Sequence, residues 1–371
     1  MRDVIDDIER WLQSGQSAIA LATVIETWGS APRKAGAKMA FTAGGAAIVG
    51  SVSGGCVEAA VIAAGDEVLA DGRPQLLHFG VADDIAWGVG LACGGTIDVF
   101  VERLDPATVA QARQWIDTGA AGAIVTVAQG SDEALGRKLV VTANDVTGFL
   151  GAGLDETAVH LARTVRHSTR YQVMEGVGLF IDAIRPPPTL FIVGGAHTAV
   201  ALVQLARVVG FRTVVIDPRR AFGSTERFPM ADELIQAWPD RAFAERPIGD
   251  GAAVVTLSHD PKIDDPALRA ALLSEAFYVG ALGSRRTHKR RRERLAALGF
   301  DEKQLGRIHA PIGLDIGADN PEEIALAVLA EVVAVFRTGE QEESELLDRR
   351  RLAGSGAGRG GHRDGGDPGR G

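Results

Sequence analysis

Apolar residues in the first half of the chain follow helical spacing in some segments and form continuous runs in others, which predict helices and strands. Val4, Ile8 and Leu12 follow helical spacing, and the same spacing resumes from Val57. Apolar and β-branched runs predict the strands. The predicted strands cover residues 17–27, 37–43, 46–52, 76–79, 96–104, 121–129 and 178–185, and further helices cover residues 57–71 and 107–117. This mixture predicts an N-terminal α/β domain.

The second half contains short, mainly apolar runs at residues 190–193, 213–216, 253–257 and 277–282. Fully apolar strands separated by helices are typical of a parallel sheet with both faces covered, so we expect a Rossmann-like C-terminal domain. Asn320, Pro321 and Glu323 predict the start of a last helix, which we expect to end at Gly339.

A stiff linker divides the two halves, because Pro186, Pro187 and Pro188 directly follow Arg185. We therefore expect an N-terminal domain at residues 1–184, a linker at residues 185–188 and a C-terminal domain at residues 189–339. Residues 340–371 are rich in Gly, Arg and Glu and poor in apolar residues, which predicts a disordered tail.

Composition narrows the class of protein. The chain has 371 residues, of which 46% are hydrophobic and 23% charged, and its net charge is −9. These values are typical of a soluble globular protein and do not favour nucleic-acid binding. No apolar run reaches the ~18 residues of a membrane span, and the N-terminus lacks the features of a signal peptide. We expect a cytoplasmic protein in which both cysteines are reduced thiols.

The strongest candidate for chemistry is the turn between the strand at residues 46–52 and the helix from Val57. It reads Ser53, Gly54, Gly55 and Cys56. Paired glycines before a helix N-terminus expose backbone N–H groups, which suit an anion such as phosphate. A cysteine at that position can have a lowered pKa and act as a thiolate that binds metal or attacks sulfur.

Two further segments support this interpretation. Cys93, Gly94 and Gly95 precede the strand predicted at residues 96–104, and the chain has no cysteines besides Cys56 and Cys93. Arg33 lies in a loop rich in Gly and Pro, and its guanidinium can hold a phosphate with paired hydrogen bonds. The alternatives are that both cysteines are small buried hydrophobic side chains and that Arg33 is an ordinary surface residue.

The C-terminal half carries a partial dinucleotide-binding fingerprint. Gly194 and Gly195 follow a predicted strand, His197 begins the helix, and Asp217 ends the next strand, as a nucleotide-binding βαβ unit requires. Ala196 occupies the position where glycine normally lets the backbone approach a pyrophosphate. Asp217 favours a ribose hydroxyl over a 2′-phosphate, although two arginines that follow it closely weaken this preference.

A second anion site is predicted where a strand leads through Gly283 into a helix. Ser284, Arg285 and Arg286 occupy the start of that helix. A helix N-terminus flanked by arginines is suited to an anion. The basic residues farther along the helix are interpreted as a solvated face.

Taken together, these segments resemble the XdhC/CoxI family, the accessory proteins of xanthine dehydrogenase and related molybdenum hydroxylases. The matching segments are residues 27–33, 50–58, 93–95, 194–197, 226–229, 283–286 and 313–318. They occur in order across both predicted domains. Ala196 departs from the family pattern, which usually has three glycines before the histidine.

The resemblance implies a maturation factor rather than an enzyme. It would bind molybdenum cofactor, as molybdopterin or its cytosine dinucleotide form, protect it during sulfuration and deliver it to an apo molybdenum hydroxylase. A cysteine desulfurase would be a second partner, and the chain would form a homo-oligomer. The cofactor site would comprise Arg33, Ser53, Gly54, Gly55, Cys56, Glu58, Cys93, Gly94 and Gly95, with Cys56 and Cys93 as candidate molybdenum contacts.

Two other classes of protein are weaker candidates. An NAD(P)-dependent oxidoreductase could use the Rossmann-like domain, with NAD(P) or another nucleotide as ligand. No proton-transfer residue stands out there except His197, which we expect to hold its turn by hydrogen bonding. A structural zinc site is disfavoured because it normally takes four ligands and the chain has two cysteines.

Overall fold

The computed structural model describes residues 1–29, 33–80, 95–151, 153–165, 168–174 and 176–355. The chain divides into two compact units, with the boundary between Pro186 and Pro187. The N-terminal unit is built on Met1–Pro186, and the C-terminal unit is Pro187–Glu342.

Antiparallel sheets form the frame of the N-terminal unit. Its strands are β1 (Ile19–Trp28), β2 (Lys38–Thr42), β3 (Ile48–Gly50), β4 (Gln75–Phe79), β5 (Thr96–Arg103), β6 (Gly122–Gln129), β7 (Lys138–Val141), β8 (Val146–Gly148), β9 (Thr169–Met174) and β10 (Val177–Ile184). Its helices are α1 (Ile5–Gln13), α2 (Glu58–Asp71), α3 (Pro106–Thr118) and α4 (Asp155–Thr164). The first sheet has the order β3-β2-β1-β5-β4 and the second the order β8-β7-β6-β10-β9.

The first and second sheets pack face to face and are each covered on the outside by a helix. Phe100 of the first sheet and Phe180 of the second share one buried cluster between the sheets. On the outer faces, Val61 of α2 packs on the first sheet and Leu161 of α4 on the second. Because β1 is covered on both faces along most of its length, residues 19–25 are mainly apolar rather than alternating.

A parallel sheet forms the frame of the C-terminal unit. Its strands are β11 (Thr189–Val193), β12 (Arg212–Ile216), β13 (Glu233–Ile235), β14 (Ala252–Thr256), β15 (Tyr278–Ala281) and β16 (Ile308–His309). Its helices are α5 (His197–Val208), α6 (Pro239–Glu245), α7 (Pro261–Leu272), α8 (Arg285–Ala297) and α9 (Glu302–Leu305), and the last helix, α10 (Pro321–Ser355), begins in it. The order β13-β12-β11-β14-β15-β16 is that of dinucleotide-binding folds, which confirms the expected Rossmann-like architecture.

The last helix is longer than the sequence analysis predicts. The predicted end at Gly339 is wrong, since α10 continues to Ser355. A single glycine costs a helix only ~1 kcal/mol, and the residues after it are mostly Glu, Gln, Leu and Arg, which favour helix. Residues 356–371 of the predicted tail lie outside the described residues. Within the described part of the chain, no helix combines the length and the apolar composition that a membrane span requires.

Candidate functional site

The register of the first sheet brings the N-terminal motifs to one end of it. Gly50, the last residue of β3, pairs with Met39 near the start of β2, and Trp28 at the end of β1 pairs with Thr96 at the start of β5. Arg33, the turn before α2 and Gly95 therefore adjoin strand ends on the same side of the sheet, with Gly50 level with Ala22, six residues along β1 from Trp28. We call this end, marked by Gly50, Trp28 and Thr96, the motif end.

The described residues include Arg33 and Gly95 of the predicted site. Cys93 and Gly94 lie outside the described residues, as do the three residues before Arg33. Gly95 is buried directly before β5. Arg33 makes a long ion pair of 3.4 Å from Nη2 to Oδ2 of Asp3, and among the described residues its buried Nε has no hydrogen-bond partner. The guanidinium therefore keeps the capacity to bind an anion.

The turn before α2 presents Cys56 to solvent. Gly54 and Gly55 have φ of 82° and 118°, a conformation that favours glycine. A Cβ atom on either would meet no heavy atom of the described residues within 4 Å, so the glycines serve the backbone conformation and not a close approach. Cys56 is a free, exposed thiol that lies before Val57, the N-cap of α2. Its N–H group donates to the Ser53 hydroxyl at 2.9 Å.

The carboxylate of Glu58 fills the inside of this turn. Its Oε1 atom accepts hydrogen bonds from the Ser51 hydroxyl at 2.7 Å and from the N–H groups of Val52, Ser53 and Gly54 at 3.3, 3.0 and 3.1 Å. Its Oε2 atom accepts from the Ser53 hydroxyl at 2.5 Å and from the N–H groups of Gly55 and Val57 at 2.9 and 3.2 Å. Burial alone would raise the pKa of Glu58, but the hydrogen bonds from Ser53 and Ser51 outweigh it and lower the pKa from 4.5 to about 2.

This arrangement changes the interpretation of the glycine turn. The N–H groups of Gly54 and Gly55, which the sequence analysis assigns to a phosphate, donate to Glu58 in the structure. The turn is an anion-binding nest, as expected from its sequence, but the anion belongs to the chain itself.

A charged cluster near the motif end was missed in the sequence analysis. Arg170 of β9 donates through Nη1 to Glu26 at 2.7 Å and to Asp98 at 2.6 Å. The other oxygen of Asp98 lies 2.6 Å from Nδ1 of His78, whose side chain is 59% exposed. Glu26 and Asp98 are the signal that could have revealed the cluster, because each is a carboxylate within an otherwise apolar strand.

In the C-terminal unit, the glycine turn after β11 and the acid after β12 are in direct contact. Gly195 donates its N–H to Oδ2 of Asp217 at 2.7 Å. Arg219 donates to both oxygens of the same carboxylate, through Nε at 2.9 Å and Nη2 at 2.7 Å. Asp217 is fully buried. Although burial raises its pKa, these hydrogen bonds lower it overall. The carboxylate expected to bind a ribose is therefore paired within the chain.

Close packing explains the glycines of this turn. A Cβ atom on Gly195 would lie 2.1 Å from the carbonyl oxygen of Phe222, and one on Gly194 would lie 2.7 Å from the N atom of Ser258. Neither side chain could be accommodated without movement of backbone. His197 is exposed and 3.4 Å from Oε1 of Glu322, so the expectation that its side chain holds the turn is wrong.

The second predicted anion site lies at the same edge of the parallel sheet, two strands from β11. Ser284 caps α8 by accepting a hydrogen bond from the N–H of Thr287, and Arg285 and Arg286 are exposed. Gly283, at φ 135°, forms the bend before the cap. The expected solvated face is wrong for Arg291, which is buried beneath this bend and donates to the carbonyl of Leu282 at 2.9 Å. No direct contact joins this site to Gly195 or Asp217 among the interactions of the described residues.

Comparison with known proteins places both units in one family. The model described as "XdhC and CoxI family" matches residues 11–80, and the "XdhC Rossmann domain" model matches residues 190–332. The chain is 32% identical to a protein of Bacillus subtilis described as a probable xanthine dehydrogenase subunit, over 87% of this chain and 94% of that protein. It is 30% identical to the "molybdenum cofactor insertion chaperone PaoD" of Escherichia coli, over 90% of this chain and 88% of that protein.

A solved structure agrees with this relationship. A structure described as a xanthine dehydrogenase from Bacillus halodurans superimposes with a TM-score of 0.69 at 27% identity, and covers 90% of this chain and 96% of that one. With relatives matched over nearly their whole length and family models matched in both units, the chain belongs to the XdhC and CoxI family.

Proposed function

We propose that the protein is an accessory factor that binds molybdenum cofactor, protects it during sulfuration and delivers it to a xanthine dehydrogenase-type or CO dehydrogenase-type molybdenum hydroxylase. The observation that carries this proposal is the free, exposed Cys56 thiol on a turn fixed by Glu58, at the end of the sheet that also bears the Arg33 loop. The names of two relatives, a cofactor insertion chaperone and a probable xanthine dehydrogenase subunit, support it.

The residues fit the chemistry of this cofactor in part. Sulfur is a suitable donor for molybdenum in this cofactor, and Cys56 presents an exposed sulfur atom. The described residues contain no group of three or more His, Cys, Asp or Glu side chains that could hold a metal alone. A metal centre bound here would accordingly bring most of its ligands with it, as molybdopterin does. Cys93 is proposed as a second contact, with Gly94 and Gly95 beside it.

The phosphate of the cofactor needs a different partner from the one suggested by sequence. Because the N–H groups of Gly54 and Gly55 are engaged by Glu58, we assign the phosphate to Arg33, whose buried Nε lacks a partner among the described residues. The same assignment serves molybdopterin and its cytosine dinucleotide form, since both carry a phosphate.

The C-terminal unit is proposed to support partner recognition rather than redox chemistry. Asp217 would have to leave both Arg219 and Gly195 before it could bind a ribose, so no observation favours an NAD(P)-dependent oxidoreductase. The exposed Arg285 and Arg286 at the start of α8 remain suited to an anion, as a phosphate or a carboxylate of a partner. The proposed partners are the apo-hydroxylase, a cysteine desulfurase and a second copy of this chain.

Transfer of cofactor tests the function. The full chain, loaded anaerobically with molybdenum cofactor, would be mixed with an apo-hydroxylase, and the appearance of hydroxylase activity followed. We expect faster activation than with free cofactor, and weaker activation with Cys56→Ser, because a hydroxyl oxygen then replaces the sulfur donor. Equal activation with and without the chain would refute the proposal.

A further inference from the structure

We propose that Glu58 is the positioning residue of the Cys56 turn: its carboxylate is the anion around which residues 51–57 fold, and it thereby fixes the place of the thiol. The turn holds its shape only while an acceptor occupies its centre. Backbone N–H groups at Val52, Ser53, Gly54, Gly55 and Val57 all point at the Glu58 carboxylate.

Without this carboxylate the turn would have little reason to keep its conformation. Gly54 and Gly55 are the most flexible residue type and lose the most backbone freedom on ordering. Converging N–H dipoles repel one another unless a negative charge lies between them. Glu58 supplies that charge from the first residue of α2, where the helix N-terminus also favours a negative charge.

The position of Cys56 depends on Glu58 through one intermediate side chain. The Cys56 N–H donates to the Ser53 hydroxyl at 2.9 Å, and that hydroxyl donates to Oε2 of Glu58 at 2.5 Å. The N–H of Val57 also reaches the Ser53 oxygen, at 3.0 Å. The backbone on both sides of the thiol is thus tied to the carboxylate, whereas the thiol itself is free and exposed.

The competing possibility is that Glu58 only holds the nest until a phosphate of the ligand replaces it. The hydrogen bonds argue against this, because the Glu58 carboxylate accepts from the hydroxyls of Ser51 and Ser53 as well as from the backbone N–H groups. A phosphate would have to replace all of these contacts. A phosphate entering beside the carboxylate would be repelled by it. The consequence for cofactor binding rests on the function proposed above, whereas the positioning of Cys56 does not.

Chemical rescue of the full chain tests the proposal. Alkylation of Cys56 by iodoacetamide would be followed by peptide mass spectrometry in wild type, Glu58→Ala and Glu58→Gln, with formate or chloride added at equal ionic strength. Glu67→Gln is the matched control, since Glu67 is exposed on the same helix. If Glu58→Ala does not fold, the alkylation rate is compared in Glu58→Gln, whose side chain keeps the size of Glu and one acceptor oxygen.

We expect Glu58→Ala to raise the alkylation rate of Cys56 by about fivefold, which corresponds to the ~1 kcal/mol of one hydrogen bond. Formate should restore the wild-type rate because it can occupy the vacated turn, and chloride should not. An unchanged rate in both variants, or a folded Glu58→Ala variant that formate does not rescue, would overturn the proposal. Protection of wild-type Cys56 by inorganic phosphate would overturn it as well, in favour of a ligand-phosphate site. None of these readouts needs the cofactor, so they are independent of the proposed function.

Discussion

Asp217 should be a structural residue of the C-terminal unit, and its replacement by Asn offers a sharp test. In a nucleotide-binding βαβ unit the acid at this strand end contacts a ribose. Here Asp217 is fully buried and accepts hydrogen bonds from the N–H groups of Gly195 and Arg219 and from the Arg219 guanidinium. If Asp217 binds a ribose, its substitution should weaken nucleotide binding; if it holds the fold, the same substitution should lower stability.

The structure sets the size of the effect. Removing one partner of a buried ion pair costs ~3–5 kcal/mol when the other charge stays buried. The Arg219 side chain is 35% exposed and can regain water, which reduces the loss. The Asn side chain keeps one acceptor for the Gly195 N–H. We therefore expect Asp217→Asn to lower the free energy of unfolding of this unit by about 2–3 kcal/mol, since hydrogen bonds to charged groups contribute ~1.5–3 kcal/mol.

Hydrogen exchange in increasing urea, read on peptides that cover β11 and β12, reports the opening free energy of this unit separately from the N-terminal one. Asp240→Asn, an exposed acid on α6, is the matched control. The pKa of Asp217 is lowered in the folded chain, so its stabilisation is present above the ordinary Asp pKa of ~3.9 and lost as the pH falls through the lower folded value. A loss no larger than that of Asp240→Asn, together with abolished NAD binding, would refute the reasoning.

Further expectations concern both units. The pKa of Glu58 is about 2 in the folded chain and 4.5 as its ordinary value, so its carboxylate stabilises the fold above pH ~5 and this stabilisation is lost toward pH ~2. The full shift would correspond to ~3 kcal/mol, which solvent screening reduces to ~1–2 kcal/mol. The free energy of unfolding should therefore fall less steeply with acid in Glu58→Gln than in Glu67→Gln. Lys38→Met should cost ~2–4 kcal/mol in urea unfolding, toward the lower end of the range for a broken buried pair, because it removes the ammonium group 3.0 Å from the buried Asp182 and leaves the N-terminal ammonium as a second cation acting on it. The absence of any loss would contradict the pairing. Gly195→Ala should destabilise the C-terminal unit by ~1–3 kcal/mol through its clash with Phe222, measured by the same exchange experiment, and a neutral effect would count against the packing described.

Local patterns predicted the C-terminal fold well, because a buried parallel strand must be apolar along its whole length. The runs at residues 190–193 and 213–216 became β11 and β12, in parallel pairing. The segment at residues 138–174 was missed. Its β8 is exposed along its length and has no buried apolar pattern. Helix α4 begins without a side-chain cap, although Ala158, Leu161 and Ala162 form a buried face at helical spacing that could have revealed it.

The candidate sites show the limit of sequence reasoning more clearly. The turn of Gly54 and Gly55 was identified as an anion nest from spacing alone. The conformation of the Glu58 side chain decides that its carboxylate occupies this turn, and a sequence motif does not specify that conformation. The same holds for Asp217, whose pairing with Arg219 converts a fingerprint acid into an internal anchor. Asp98 and His78 face each other across neighbouring strands of the first sheet, and Arg170 reaches Asp98 only because the first and second sheets pack together.

The pterin and molybdenum content of the purified chain tests the proposed function most directly. The full-length protein would be isolated without oxygen from a host that makes molybdenum cofactor, and its pterin measured by fluorescence after oxidation, beside metal analysis. We expect pterin and molybdenum together in wild type and in Glu67→Gln, and clearly less of both in Cys56→Ser at unchanged unfolding midpoint. A folded wild-type chain that carries neither, or a Cys56→Ser variant that carries as much as wild type, would contradict cofactor binding at the Cys56 turn.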